Sequence, residues 1–291
     1  MSALIRDDAV PAIRRRRLRW PRPRRTTMAG LVLVGAMALA ALAAPLLPWD
    51  PEAVDLMARL EGPGAAHWLG TDHLGRDLLA RLLHGASVSL GAVAVIVALI
   101  LALGIGVGGL SGFLGGRADR IIMRVCDGFL TVPTFVLAMF MVGVLGTGLT
   151  NVVLAIALSH WAWYARIVRG MVLSLRERDF VAAAMVSGAS RPRVFMDHIL
   201  PGVLVQLVVL ATLDIGHMIL HVAGLSFLGL GVTPPTPEWG VMINDAREFI
   251  WTQPMLMLWP GLMILLTVMG FNLLGDALRD RLDPTLGGGD H

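Results

Sequence analysis

The chain carries 291 residues, of which 56% are hydrophobic and 15% charged, with a mean hydropathy of +0.71. A soluble domain holds about 25% charged residues, so this composition excludes a soluble globular protein and specifies an integral membrane protein. The formal net charge is +3 and no lysine occurs anywhere. A phosphate-cradling P-loop needs a lysine after its glycine-rich turn, so any ATP that drives this protein is bound by another chain.

Residues 1–27 form a basic arm in which Arg14, Arg15, Arg16, Arg17, Arg19, Arg22, Arg24 and Arg25 crowd the end nearest the first apolar run. Such an arm suits an anionic membrane surface rather than nucleic acid, and arginines flanking a span keep that flank in the cytoplasm. Met28 to Leu47 is the first span. Its apolar run exceeds the roughly 7–15 residues of a signal-peptide core, so it reads as an uncleaved anchor. Residues 48–85 are hydrophilic, and Asp50, Glu52, Asp55, Glu61, Asp72 and Asp77 outnumber Arg59, Arg76 and Arg81. That acidic excess places the segment outside. Leu78, Leu79, Leu82 and Leu83, between Asp77, Arg81 and His84, predict a short amphipathic helix lying in the interface ahead of the next span.

Val88 to Leu110 is the second span, ending in Gly104, Gly106, Gly108 and Gly109, small residues that let helices approach closely. A basic turn at 115–120 leads to a third span over 121–145, with Pro133 expected to kink it. The lone Cys126 in this span cannot form an internal disulfide and reads as a small buried hydrophobe. The fourth span runs over 149–172 through Ser159-His160-Trp161-Ala162-Trp163-Tyr164, and Arg166, Arg169, Arg176 and Arg178 mark its cytoplasmic exit. The fifth covers 203–230. Pro234 to Trp239 opens an outer loop containing Asp245 and Glu248, and the sixth span covers 255–274, with Arg279 and Arg281 beyond it. The result is an all-α membrane fold of six transmembrane helices with both termini cytoplasmic. It divides into the arm at 1–27, a first helix at 28–47, an extracytoplasmic segment at 48–85, a five-helix core at 86–276 and a cytoplasmic tail at 277–291. No internal repeat is visible, which weighs against a carrier built from inverted halves.

Between the fourth and fifth spans, Asp179 to Pro201 reads as two short helices broken at Gly188-Ala189, glycine giving a turn free of Cβ clash. Ala182, Ala183 and Ala184 make a smooth knob that could seat in a partner's groove, although small residues before a turn also occur in ordinary helical hairpins.

The spacing Ala182-Ala183-Ala184-x3-Gly188, followed by His198-Ile199-Leu200-Pro201, resembles the EAA motif through which ABC importer permeases meet their ATPases. Ala182 stands where the motif carries glutamate, and His198 where isoleucine is commonest. His67 to Asp77, Ala223 to Gly231 with Pro234 to Gly240, and Asp276 to Pro284 resemble the dipeptide/oligopeptide/nickel permease group. Three further stretches, Val142 to Asn151, Ser159 to Arg166 and Leu213 to Val222, are similar to nickel permease C subunits. The resemblance implies a type I ABC importer permease fold in the bacterial inner membrane. It implies a second permease subunit, two ATP-binding cassette ATPase subunits and an extracytoplasmic solute-binding protein as partners, with membrane lipid around them. It also implies no cofactor bound by this chain and ATP used by the partner subunits, with Ala182, Ala183, Ala184, Gly188, Leu200 and Pro201 forming the ATPase-coupling loop.

Inside the fifth span Asp214, His217 and His221 lie at i, i+3 and i+7, one helical face, with Gln206 near the same stripe. An Asp at bilayer depth costs about 2.5–3.5 kcal/mol, so the face must meet a cavity or another chain. One reading makes His217 and His221 imidazole donors to a nickel ion or chelate, with Asp214 orienting a ring. The other makes all three interhelical hydrogen-bond partners. His160 belongs either to this pathway or to an aromatic belt at the membrane interface. A dipeptide or metal-chelate permease is the alternative within this class. An autonomous channel or carrier, or a membrane scaffold, is the alternative outside it.

Overall fold

A computed structural model describes residues 25–282; most of the basic arm and the last residues of the tail, including Asp283 and Pro284, lie outside the described residues. The elements are helical: α1 (Arg25–Ala43), α2 (Leu78–Leu114), α3 (Gly116–Leu130), α4 (Thr134–Leu145), α5 (Leu149–Arg176), α6 (Asp179–Val186), α7 (Arg191–Val194), α8 (Leu200–Phe227), α9 (Trp239–Ala246) and α10 (Met255–Leu282). Among the described residues four helical segments are long and apolar enough to cross a membrane, those of α1, α2, α7–α8 and α10, and the bent pair α3–α4 makes a fifth if it counts as one span.

Three expectations are corrected. The helix expected in the interface at 78–83 is not separate: Leu78 opens α2, which runs 37 residues without interruption. Asp77 caps it by accepting a hydrogen bond from the Ala80 amide at 2.8 Å, and Leu78 and Leu82 are buried against the bundle rather than facing lipid headgroups. The third span is not one kinked helix. Pro133 takes an extended ψ of 133°, so the chain leaves helical geometry there and α3 and α4 meet at 85°. Finally, the second short helix of the 179–201 loop does not end before the fifth span. It passes through one wide π-turn at Phe195–Ile199, in which the Leu200 amide donates to the Phe195 carbonyl, straight into α8. Pro201 has no amide to give and would clash with a tight preceding turn; the wider turn accommodates it.

The bundle is centred on α2, whose most extensive packing is against α5. The seam is made by Gly104, Gly108 and Gly112. A Cβ built on Gly104 would fall 2.6 Å from the Tyr164 Cβ, and one on Gly108 would fall 2.2 Å from the Ala165 carbonyl oxygen. Four-residue spacing puts all three on one face, and the missing side chains let the two backbones touch. Gly106, expected in the same role, faces open space instead. The next most extensive packing joins α8 to α10 and α1 to α10.

The 48–77 segment is folded down by charge. Arg76 and Arg81 are each only 1% exposed. Arg76 Nε lies 2.6 Å from Asp72 Oδ2, and Arg76 Nη2 lies 3.4 Å from Asp245 Oδ2 on α9. Arg81 donates at 3.2 Å to the carbonyls of both Pro51 and Pro235. Close by, the buried Trp239 donates to the Leu82 carbonyl at 3.1 Å. Ser89 donates to Glu238 at 3.1 Å, and Glu238 in turn caps α9 by accepting from the Val241 amide. The 48–77 and 233–246 segments are thereby tied to the first turns of α2.

Three substitutions test this arrangement. Gly108→Leu overpacks the α2–α5 seam and should cost more than about 3 kcal/mol, read as loss of monodisperse protein in fluorescence-detected size-exclusion, whereas Gly106→Leu should leave the profile unchanged. Arg76→Met removes the 2.6 Å partner of the buried Asp72, leaving Asp72 and Asp245 only the longer contacts to Arg81 at 3.4 and 4.0 Å, and should destabilise by about 3–5 kcal/mol, measured as the shift in thermal unfolding.

Candidate functional site

The polar residues inside the bundle meet at Asp214. Its carboxylate is buried on α8, and α5 supplies its neighbours. The Tyr164 hydroxyl donates to Asp214 Oδ2 at 3.1 Å, and His160 Nε2 lies 3.2 Å from the same oxygen. On the far side of the His160 ring, Thr134 Oγ1 at the start of α4 sits 3.3 Å from Nδ1. Three helices therefore share one chain of polar contacts, with the Trp163 ring tilted against the imidazole and the Tyr164 ring edge-on to it at centroid distances of 5.3 and 5.8 Å.

His217 and His221 occupy the outer edge of this cluster. His217 Nδ1 is 3.7 Å from Asp214 Oδ1, and its side chain is 70% exposed. His221 is half-buried; its Nδ1 lies 2.7 Å from the His217 carbonyl one turn back, and its ring lies against Phe135 at 5.7 Å. A Nδ1–H donated to that carbonyl leaves Nε2 of His221 as its open lone pair. Asp214, His217 and His221 thus share a helical face, but Asp214 turns inward and the two histidines outward. Among the described residues no group of three or more His, Cys, Asp or Glu is arranged to hold a metal ion. Gln206 stands apart, lining a groove with Arg279, Ile167 and Leu213.

The 179–201 loop projects from the bundle. Val181 anchors α6 and is fully buried, while Phe180, Met185 and Val186 are exposed apolar side chains. Ala182 and Ala183 are exposed and Ala184 is half-buried. Gly188 closes the turn at φ +87°, in the left-handed region where a side chain would strain the backbone. Leu200 is half-buried and Pro201 exposed at the head of α8.

Two polar clusters escaped sequence reasoning. One is the set around Arg76, described above. The other lies at the opposite end of α2, where Arg169 grips Asp119 through both oxygens at 2.5 and 2.6 Å and Ser111 donates to the same carboxylate at 2.5 Å. Arg176 beside it donates to the carbonyls of Gly112 and Phe113 at 3.2 and 3.3 Å. The arginines used to assign topology are in part structural, closing the last turns of α2.

Comparison with known proteins bears on what this arrangement serves. The family model for "binding-protein-dependent transport system inner membrane component" matches residues 104–288, and that for the "N-terminal TM domain of oligopeptide transport permease C" matches residues 22–63. The chain is 62% identical over 257 residues to the nickel transport system permease protein NikC of Escherichia coli K12, covering 88% of this chain and 93% of that one. It is 46% identical to the probable D,D-dipeptide transport system permease protein DdpC of the same organism, covering 90% and 88%. It is 44% identical to the glutathione transport system permease protein GsiD of Pectobacterium atrosepticum, covering 89% and 86%.

If the Asp214 cluster is an interhelical lock, Tyr164→Phe should destabilise the protein by about 0.6–1.7 kcal/mol, the range for hydrogen bonds between membrane helices. Gly104→Val, which pushes the Tyr164 backbone away, should cost more. Thermal unfolding in detergent compares the two.

Proposed function

The chain belongs to the family of binding-protein-dependent transport system inner membrane components, and from that premise we propose that it is a permease subunit of an ATP-driven nickel importer. The observation that carries the reading is the 62% identity to a nickel permease over nearly the whole chain, against 46% and 44% to relatives named for D,D-dipeptide and glutathione. Membership implies a multi-pass inner-membrane protein that works with an ATPase and a binding protein. On this reading the assembly holds a second, different permease chain, two ATPase subunits and a solute-binding protein on the outer side.

The fold reading that goes with it is a type I importer permease with six crossings: α1, α2, the bent α3–α4 pair, α5, α8 and α10. An even number puts both termini on one side, and the arginines of the 115–120 turn, of the 176–193 stretch and of residues 279–281 make that side the cytoplasm. The organisation is then a cytoplasmic arm at 1–27, a first helix at 28–47, an outer segment at 48–85, the permease core at 86–276 and a tail at 277–291.

The exposed apolar tip of α6, with Ala182 and Ala183 on its surface and Gly188 behind it, fits a groove on the ATPase. Leu200 and Pro201 then carry the displacement of that tip into α8. Asp214 and His160, already committed to each other and to Tyr164, set the register of α5 against α8. His217 and His221 face outward and keep donor capacity, so they are assigned to the solute path. Two imidazoles without a third protein ligand form a weak stop, which suits a path that must also release its cargo. Such a pair does not choose nickel over copper or zinc, since affinity runs the other way for copper; selection belongs to the binding protein.

The test is uptake of radiolabelled nickel into vesicles holding the complete importer. Nickel should accumulate with ATP and binding protein, and excess dipeptide should not compete; competition by dipeptide would assign the chain to peptide transport instead. His217→Ala combined with His221→Ala should lower nickel uptake at least about tenfold, the scale of losses around metal-binding rings, with assembly unchanged. Ala183→Arg, which roughens the α6 tip, should leave ATP binding intact but abolish the stimulation of ATP hydrolysis by loaded binding protein.

A further inference from the structure

The helix α3 presents two unlike faces. Asp119, Met123 and Cys126 turn inward, with Asp119 held by Arg169 and Cys126 packed with Ala162 and Ala165 of α5. The opposite face carries Arg117, Arg120 and Arg124 at i, i+3 and i+7, with Ile121 and Val125 between them. These five residues line a groove of about 500 Å³. Ile121 is 67% exposed and Val125 is 50% exposed. None of the three arginines has a carboxylate partner among the described residues, in contrast to Arg76, Arg81 and Arg169. The helix is sharply amphipathic and leaves α4 at 85°, so a normal-oriented α4 lays α3 close to the plane of the membrane surface.

We infer that this face of α3 is a binding site for the phosphate of an anionic glycerophospholipid, the three guanidinium groups holding the headgroup while Ile121 and Val125 rest on its acyl chains. The chemistry fits at each point. Arginine forks pair with phosphate oxygens through two hydrogen bonds. Long basic side chains reach up from a buried stem to the headgroup level. A helix with basic residues on one side and apolar ones among them lies in the interface and favours anionic lipid. The 10.5 Å that separates Arg117 from Arg124, at about 1.5 Å rise per residue, is short enough for one doubly charged headgroup or two adjacent single ones. The site needs no assumption about cargo and stands apart from the His217–His221 edge.

The experiment uses the complete importer, purified in mild detergent from membranes and transferred to nanodiscs of phosphatidylcholine with or without phosphatidylglycerol. Mass spectrometry counts phospholipid retained by the assembly. Wild type should retain phosphatidylglycerol over phosphatidylcholine, and Arg117→Gln/Arg120→Gln/Arg124→Gln should lower that retention at least about tenfold, since each basic residue near an anionic surface contributes about fivefold. Added inorganic phosphate should not displace the lipid; displacement would assign the groove to a free anion. A photo-crosslinking residue at position 121 supplies the second readout in an otherwise unaltered protein, so a variant that fails to assemble does not decide the matter. Lipid adducts are the expected product. Adducts to an ATPase or to the second permease, or equal retention of both lipids by wild type, would overturn the proposal.

Discussion

A carboxylate in an apolar helix bundle has to be met by donors, and the way Asp214 is met governs the middle of this protein. It is buried, and an unpartnered charge at bilayer depth costs several kcal/mol. The neighbours come from α5: the Tyr164 hydroxyl donates at 3.1 Å, and His160 Nε2 lies 3.2 Å from the same oxygen without the alignment of a hydrogen bond. They can reach only because α5 lies unusually close to α2, leaving α8 to close over the same side. The glycine seam makes that approach possible, and Gly104 lies directly against Tyr164. Packing and electrostatics are therefore one constraint. A residue with no side chain on α2 sets the position of a hydroxyl on α5, which sets the rotation of α8.

That rotation divides the ionisable residues of α8 into two groups. With Asp214 fixed inward, helical periodicity turns His217 away from the cluster by three residues and puts His221 at its margin beside Phe135. The outward histidines are thus available because the inward aspartate is satisfied. The same logic holds at both ends of α2. Arg76 and Arg81 neutralise Asp72 and Asp245 on one side, and Arg169 neutralises Asp119 on the other. These pairs cap a helix too long for the hydrocarbon layer: 37 residues at about 1.5 Å each extend well beyond a core about 30 Å thick.

Sequence reasoning found what depends on local chemistry. Apolar runs located α1, α2, α8 and α10, and the turn at Gly188 and the shared face of Asp214, His217 and His221 follow from spacing alone. It failed where the answer depends on which helices touch. Nothing near Asp214 in sequence points to Tyr164, fifty residues away, and nothing near Asp72 points to Asp245. The size of the bend at Pro133 was equally hidden. Proline announces a break, but whether the chain kinks or departs at 85° depends on α3 being amphipathic, with a basic face that has no place in hydrocarbon. The interfacial helix expected at 78–83 failed for the opposite reason. Leu78 and Leu82 pack inward because Trp239 and α9 cover that end of α2, a contact between residues some 157 positions apart.

The path from the α6 tip to Asp214 has the mechanical properties that coupling would need. Val181, Val194 and Ile199 are buried, so α6, α7 and the π-turn are held to the bundle along one side while the exposed tip stays free to be gripped. Beyond Pro201 the helix α8 contains no further proline, and Asp214 lies thirteen residues on, about 20 Å along a continuous rod. A tilt imposed at Leu200 must therefore appear at Asp214 as a displacement relative to α5. The carboxylate cannot follow such a displacement gradually, because an Asp214 half removed from Tyr164 and His160 loses its Tyr164 donor and its close approach to the imidazole. It has to stay with them or exchange them for others, water or a partner chain among these. On the proposed coupling, such a cluster would favour two positions of α8 over a continuum, and the exposed His217 and half-buried His221 would move with it.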